Sequence, residues 1–169
     1  SSIIIILRPL HILHSEAATG WGGQEIRVFQ ESCLLLKRGH RVSLICQPDS
    51  PLAQNAKKIK SPDFKYYPVK MRGSTNPFSI FQIYRTLIKI RPDIAHTHSS
   101  IDSWQVSCCC KALQIPIVRS RHVSIPVKNY FPKNSIYSYF PNKIITSGKA
   151  VQTIMQGING VAKDKVVSI

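Results

Sequence analysis

Apolar residues recur along the chain in two rhythms: short dense runs, and longer stretches that repeat every three to four positions. The run "HILH" (11–14) predicts a first strand. From Gly23 to Arg38, Ile26, Phe29, Cys33 and Leu36 fall at i, i+3, i+7 and i+10, one stripe of a helix that Gly39 stops. "HRVSLIC" (40–46) predicts a second strand, broken by "QPDSP". A short helix over 51–60 and a third strand, "FKYYPV" (64–69), follow. Residues 77–90 carry a wide apolar face of Ile80, Ile83, Tyr84, Leu87 and Ile88, with Gln82, Arg85 and Lys89 opposite, and Pro92 ends the helix. Strands at 93–98 and 115–122 flank a helix at 102–113. The stretch "NYFPKNSIYSYFP" (129–141) reads as loop by its Pro and Asn content. "KIITS" (143–147) is a sixth strand, and Val151, Ile154, Met155 and Ile158 predict a helix with Ser147 as its N-cap. The closing "DKVVSI" reads as a seventh strand that stops while still apolar, so the chain is expected to be cut inside it or just after it.

Strands separated by helices imply parallel pairing through right-handed crossovers. Such a sheet is covered on both faces, so its strands need not alternate. The expected class is α/β: one domain over residues 1–169, with a doubly wound, mostly parallel Rossmann-like sheet flanked by helices.

Composition narrows the partners. Lysine and arginine number 23 against 8 acidic residues, a formal charge of +15. That balance suits nucleic acid, an anionic membrane or phosphorylated ligands, or else a solvated basic surface. No apolar run has the roughly 18–20 residues of a membrane span. "IIIIL" (3–7) is too short for a signal-peptide core and has no basic flank before it. The five cysteines form no C-x-x-C pair. Cys108, Cys109 and Cys110 would fan out around a helix at about 100° steps, so they cannot converge on one metal. Buried or half-buried thiols in a reducing compartment are expected.

Doubly wound sheets bind ligands at the carboxyl ends of their strands. Gly22 and Gly23 follow the first strand and open a helix, where free N–H groups and the helix dipole attract phosphate. As a bare loop the pair could equally be a tight turn. The pattern is not G-x-G-x-x-G and no acidic residue closes the second strand, which argues against dinucleotide binding. His96 and His98 end the fourth strand, Arg121 and His122 the fifth, and Ser147 the sixth. A lone histidine is more often structural, but three at adjacent strand ends would face one crevice. Zinc is conceivable for His96, His98 and His122. We expect the two histidines of "HTH" to point to opposite faces of their strand, which argues against one shared ion. With no D-x-D for carboxylate-held magnesium, no metal and no cofactor are expected.

The ordered segments "HILHSEAATGWGGQE", "LKRGHRVSLIC", "RPDIAHTHSS", "IPIVRSRH" and "ITSGKAVQTIM" resemble the N-terminal half of GT-B retaining glycosyltransferases, and most of all glycosyltransferase family 4. The similarity runs from Pro9 to Ile169, and "KVVSI" matches the point where the family continues into a second domain. The resemblance implies that Gly22 and Gly23 reach the diphosphate of a nucleotide-sugar. It implies that His122 is catalytic near the transferred sugar, and that Glu25 fixes the loop at the helix start. His98, Arg121 and Ser147 would line the same cleft. The family's C-terminal donor motif, E-x-x-x-x-x-x-x-E with a basic pair, does not occur here. The chain is therefore expected to be an acceptor-side half, inactive alone, whose acceptor is a glycan or a lipid-linked, lipopolysaccharide-type glycan. Cytoplasmic placement follows, with peripheral contact at an anionic membrane face through helix 77–90 and the aromatic 129–141 stretch. For that helix, packing on the sheet is the favoured reading. A basic nucleic-acid-binding module without catalysis is the alternative, resting on Tyr66, Tyr67 and nearby lysines, but its basic residues are scattered and no binding motif supports it. A flavodoxin-like signalling domain would need an acidic cluster that is absent.

Overall fold

A computed structural model describes residues 8–121 and 127–169. Its strands are β1 (His11–Glu16), β2 (Arg41–Cys46), β3 (Phe64–Pro68), β4 (Ile94–Thr97), β5 (Ile117–Arg121), β6 (Lys143–Thr146) and β7 (Val166–Ser168). Between them lie α1 (Gly23–Lys37), α2 (Pro51–Ala56), α3 (Pro77–Ile90), α4 (Ser100–Ala112), α5 (Ser135–Ser138) and α6 (Lys149–Gln156). The described strand pairs are all parallel, in the order β3-β2-β1-β4-β5-β6-β7. The chain winds outward from β1 to β3, then returns to β4 and winds the other way. This reversal opens a crevice at the carboxyl ends of β1 and β4, where α/β sheets take their ligands.

Alternation along the strands sorts the two faces. Leu13, Ile45, Ala95 and Ile117 meet Ile83 and Leu87 of α3 and Val106, Cys109 and Cys110 of α4. Leu44 and Cys46 pack on Val28 of α1 and on Leu52, Ala53 and Ala56 of α2. A third cluster joins Ile136, Tyr137, Ile144, Val151, Met155 and Val166 beneath α5 and α6.

Several details differ from the sequence pattern. The fully buried line of α1 is Glu25, Val28 and Ser32, one step round from the expected stripe, whose members Ile26, Phe29, Cys33 and Leu36 are half-buried. On α3 the buried line is Ser79, Ile83 and Leu87, while Tyr84 and Ile88 stand exposed beside Phe78 and Phe81. Gly148 (φ 83°), not Ser147, occupies the N-cap of α6. A non-glycine residue at that φ would be strained. Within the expected 129–141 loop, the short helix α5 buries Ile136 and Tyr137. The cysteines do fan out: Cys108 is exposed, and Cys109 and Cys110 are buried. Among the described residues no helix is long and apolar enough to cross a membrane.

Candidate active site

At the head of α1, Gly22 is the N-cap and Gly23 the first helical residue. Gly22 is extended (φ −117°), and Gly23 is not among the glycines with positive φ, so conformational need does not explain the pair. A Cβ on Gly23 would meet nothing within 4 Å, so the backbone there is open. The side chain of Glu25 turns back to accept the Gly22 N–H at 2.8 Å, which fixes the loop at the helix start. The unpaired N–H groups of the first turn make this ledge attractive to an anion.

Beneath the loop lies a carboxylate that the sequence pattern did not single out. Glu16 closes β1 and is fully buried. It accepts the Ala18 N–H at 2.9 Å and the Gln24 amide at 2.6 Å, so it grips both ends of the glycine loop. Burial, with the charge of Asp102 adding to it, pushes its carboxyl up to about 7. The available signal was an acid ending the first strand a few residues before a glycine-rich turn.

Asp102, in the first turn of α4, joins the two sides of the crevice. It accepts Ser15 Oγ–H at 2.6 Å, the His98 N–H at 3.1 Å and the Ser99 N–H at 2.9 Å, together with the Ser99 hydroxyl. Burial raises its pKa, and the charge of Arg119 opposes that rise. Arg119, equally unmarked in the sequence, is buried and donates to the Ser99 carbonyl at 2.6 Å, to Ser103 Oγ and to the Tyr137 hydroxyl at 3.2 Å.

Arg121 and Ser147 come together on adjacent strand ends. The Ser147 N–H donates to the Arg121 carbonyl at 3.3 Å, and the Arg121 guanidinium donates to Tyr137 at 3.0 Å. His98 stands at the end of β4 but is buried, its ring 3.0 Å from His14 Nδ1. His122 lies outside the described residues.

The expectation that His96 and His98 point apart is corrected: their ring centroids are 4.2 Å apart. Residues i and i+2 of a strand share a face, because the side-chain period is two. His14 stands opposite His96 in the β1–β4 register and joins the same group. Strand geometry therefore does not keep these histidines from sharing an ion.

The fold defines a class: a doubly wound, Rossmann-like α/β domain with an all-parallel sheet among the described residues. The model of Glycosyltransferase Family 4 matches residues 21–169, and the chain belongs to that family. A comparison with curated proteins returns no match. Among solved structures, a glycosyltransferase from Rickettsia africae is similar with a TM-score of 0.75 and 20% identity, over 96% of this chain and 43% of its own. Anabaena HepE in complex with UDP-glucose follows at 0.72 and 13%, over 95% of this chain and 43% of its own. Acinetobacter baumannii MurG is similar at 0.62 and 18%, over 83% and 42% respectively. At these identities the likeness shows the fold. The chain spans less than half the length of each of these structures.

Proposed function

We propose that this chain is the acceptor-side half of an enzyme that moves a sugar from a nucleotide-sugar to a glycan or lipid-linked acceptor. The observation that carries the reading is the open backbone at Gly23, at the head of a 15-residue helix beside the strand-order reversal. When the glycosidic bond to the nucleotide breaks, negative charge grows on the departing diphosphate. Helix N–H groups aimed at that charge stabilise the transition state more than the ground state. Glu16 and Glu25 hold the ledge in place, and His122 is proposed to work at the transferring sugar. UDP-glucose bound to HepE supports the donor class by analogy only. The acceptor is proposed to meet the enzyme at an anionic membrane face, with cytoplasmic placement. Transfer needs both walls of a two-domain cleft, since fixed geometry supplies roughly 7–11 kcal/mol of the barrier in favourable cases. The chain alone is therefore proposed to be inactive.

The test uses the complete enzyme. Gly23→Val places a side chain in the open space without demanding an unfavourable φ, so folding should survive. The donor KM should rise or kcat fall by about tenfold or more, the scale of one lost hydrogen bond to a charged group. Unchanged donor kinetics in a well-folded variant would reduce the ledge to a turn. Turnover by residues 1–169 alone would remove the need for a second wall.

A further inference from the structure

Under α1, on the sheet face away from α3 and α4, four metal-binding side chains surround one point. One ring nitrogen from each of His14, His96 and His98 and one carboxylate oxygen of Glu31 all lie within 4.8 Å of one another. His14 and His96 are register partners on adjacent strands, and His98 lies two residues beyond. Glu31 descends from the middle of α1. The ring centroids stand 5.0 Å apart for His14–His96, 5.3 Å for His14–His98 and 4.2 Å for His96–His98.

An independent observation points to a ligand. His14 is only 1% exposed, and its Nε2 has no hydrogen-bond partner among the described residues. Native folds rarely leave such an atom unmatched. Its other nitrogen, Nδ1, faces His98 Nε2 at 3.0 Å. Ser120 Oγ meets His96 Nε2, the kind of outer contact that orients a ligating imidazole.

We propose that His14, Glu31, His96 and His98 form a site for a zinc-class transition metal that ties α1 to the β1–β4 pair. Three imidazoles and a carboxylate suit zinc and its neighbours, whereas magnesium and calcium prefer oxygen. The tie would hold the helix that carries the glycine ledge. It stands on its own geometry and does not depend on the sugar-transfer reading.

The test takes tag-free complete protein, stripped with a chelator and titrated with Zn²⁺ or Co²⁺. The expected result is one ion per chain and the intense visible absorption of tetrahedral Co²⁺. The melting temperature should rise with free metal, as linkage requires. X-ray absorption of the Zn²⁺ form should show nitrogen and oxygen neighbours without sulfur. Glu31→Gln and His96→Gln, both at partly exposed positions, should each weaken Zn²⁺ binding on the order of a hundredfold. The proposal is overturned by no saturable binding, by sulfur in the coordination shell, or by unchanged affinity in both variants. The absorption measurement uses unmutated protein, so it decides the matter even where a variant misfolds.

Discussion

Asp102 lies in the first turn of α4, and its partners reach back to Ser15 on β1. A carboxylate that accepts so many donors fixes the loops at both ends of the crevice, which is why burying it is tolerated. His11, at the other end of β1, gives a residue-scale test. Burial, with the charge of Arg41 adding to it, holds its imidazole below the usual 6.5. As pH falls through 6.5 the unfolded chain takes up this proton before the folded one does. Stability is lost on acidification until the folded imidazole also protonates. His11→Gln removes that contribution. Denaturation midpoints between about pH 8 and pH 5 should therefore fall less steeply for the variant than for the parent. Parallel curves would show that His11 does not titrate differently in the two states. At this scale the sequence was partly legible. The glycines, Arg121 and Ser147 stood out because they end or follow predicted strands, and Glu25 through the family resemblance. Glu16, Asp102 and Arg119 did not, because their role depends on neighbours distant in the chain, such as Asp102 and Ser15, 87 residues apart.

Elements were easier to read than their orientation. Every strand and the long helices lie where hydrophobic rhythm placed them, yet the buried line of α1 turned by one position. Glu25 and Ser32 can go inside because each satisfies itself locally: Glu25 with the Gly22 N–H, and Ser32 Oγ with the Val28 carbonyl at 2.8 Å. A scale that scores only hydrophobicity penalises both. Helix α3 shows the converse, with Phe78 at 84% exposure and Phe81 at 62%. Leu87 on its inner line is fully buried, so Leu87→Ala should cost about 2–5 kcal/mol. Phe78→Ser should change stability by about 0.5 kcal/mol or less. Urea denaturation of both variants checks the contrast. Comparable losses would mean that Phe78 is packed after all.

At the scale of the molecule, the charge is more lopsided outside than its sum suggests. Three of the eight acids, Glu16, Glu25 and Asp102, are buried, whereas Arg119 is the one buried residue among the described lysines and arginines. The surface is thus more basic than the formal +15. If α3 and this charge meet an anionic bilayer, the complete protein should sediment with phosphatidylglycerol vesicles and be released as salt shrinks the Debye length below about 8 Å. Phe78→Ser with Phe81→Ser should lower vesicle binding at constant salt. Binding that is indifferent to both would assign the aromatic face no part in it.

The central β1–β4 pairing carries a kinetic consequence. His11 and Asp93, hydrogen-bonded across that seam, are 82 residues apart, so joining the strands closes a long loop, whereas the outer pairs join nearer segments. Closing such loops late is entropically favoured. Each flank of the seam has its own reporter. Trp21 contacts Phe29 on one side, and Trp104 contacts Phe140 on the other. In single-tryptophan variants of the complete protein, each fluorescence change during refolding should precede the formation of the Ser15–Asp102 contact, followed by pulsed exchange of the Ala17 and His98 amides. The crevice would then be the last part of the chain to mature, and a nascent copy would possess its two walls before it possessed the space between them.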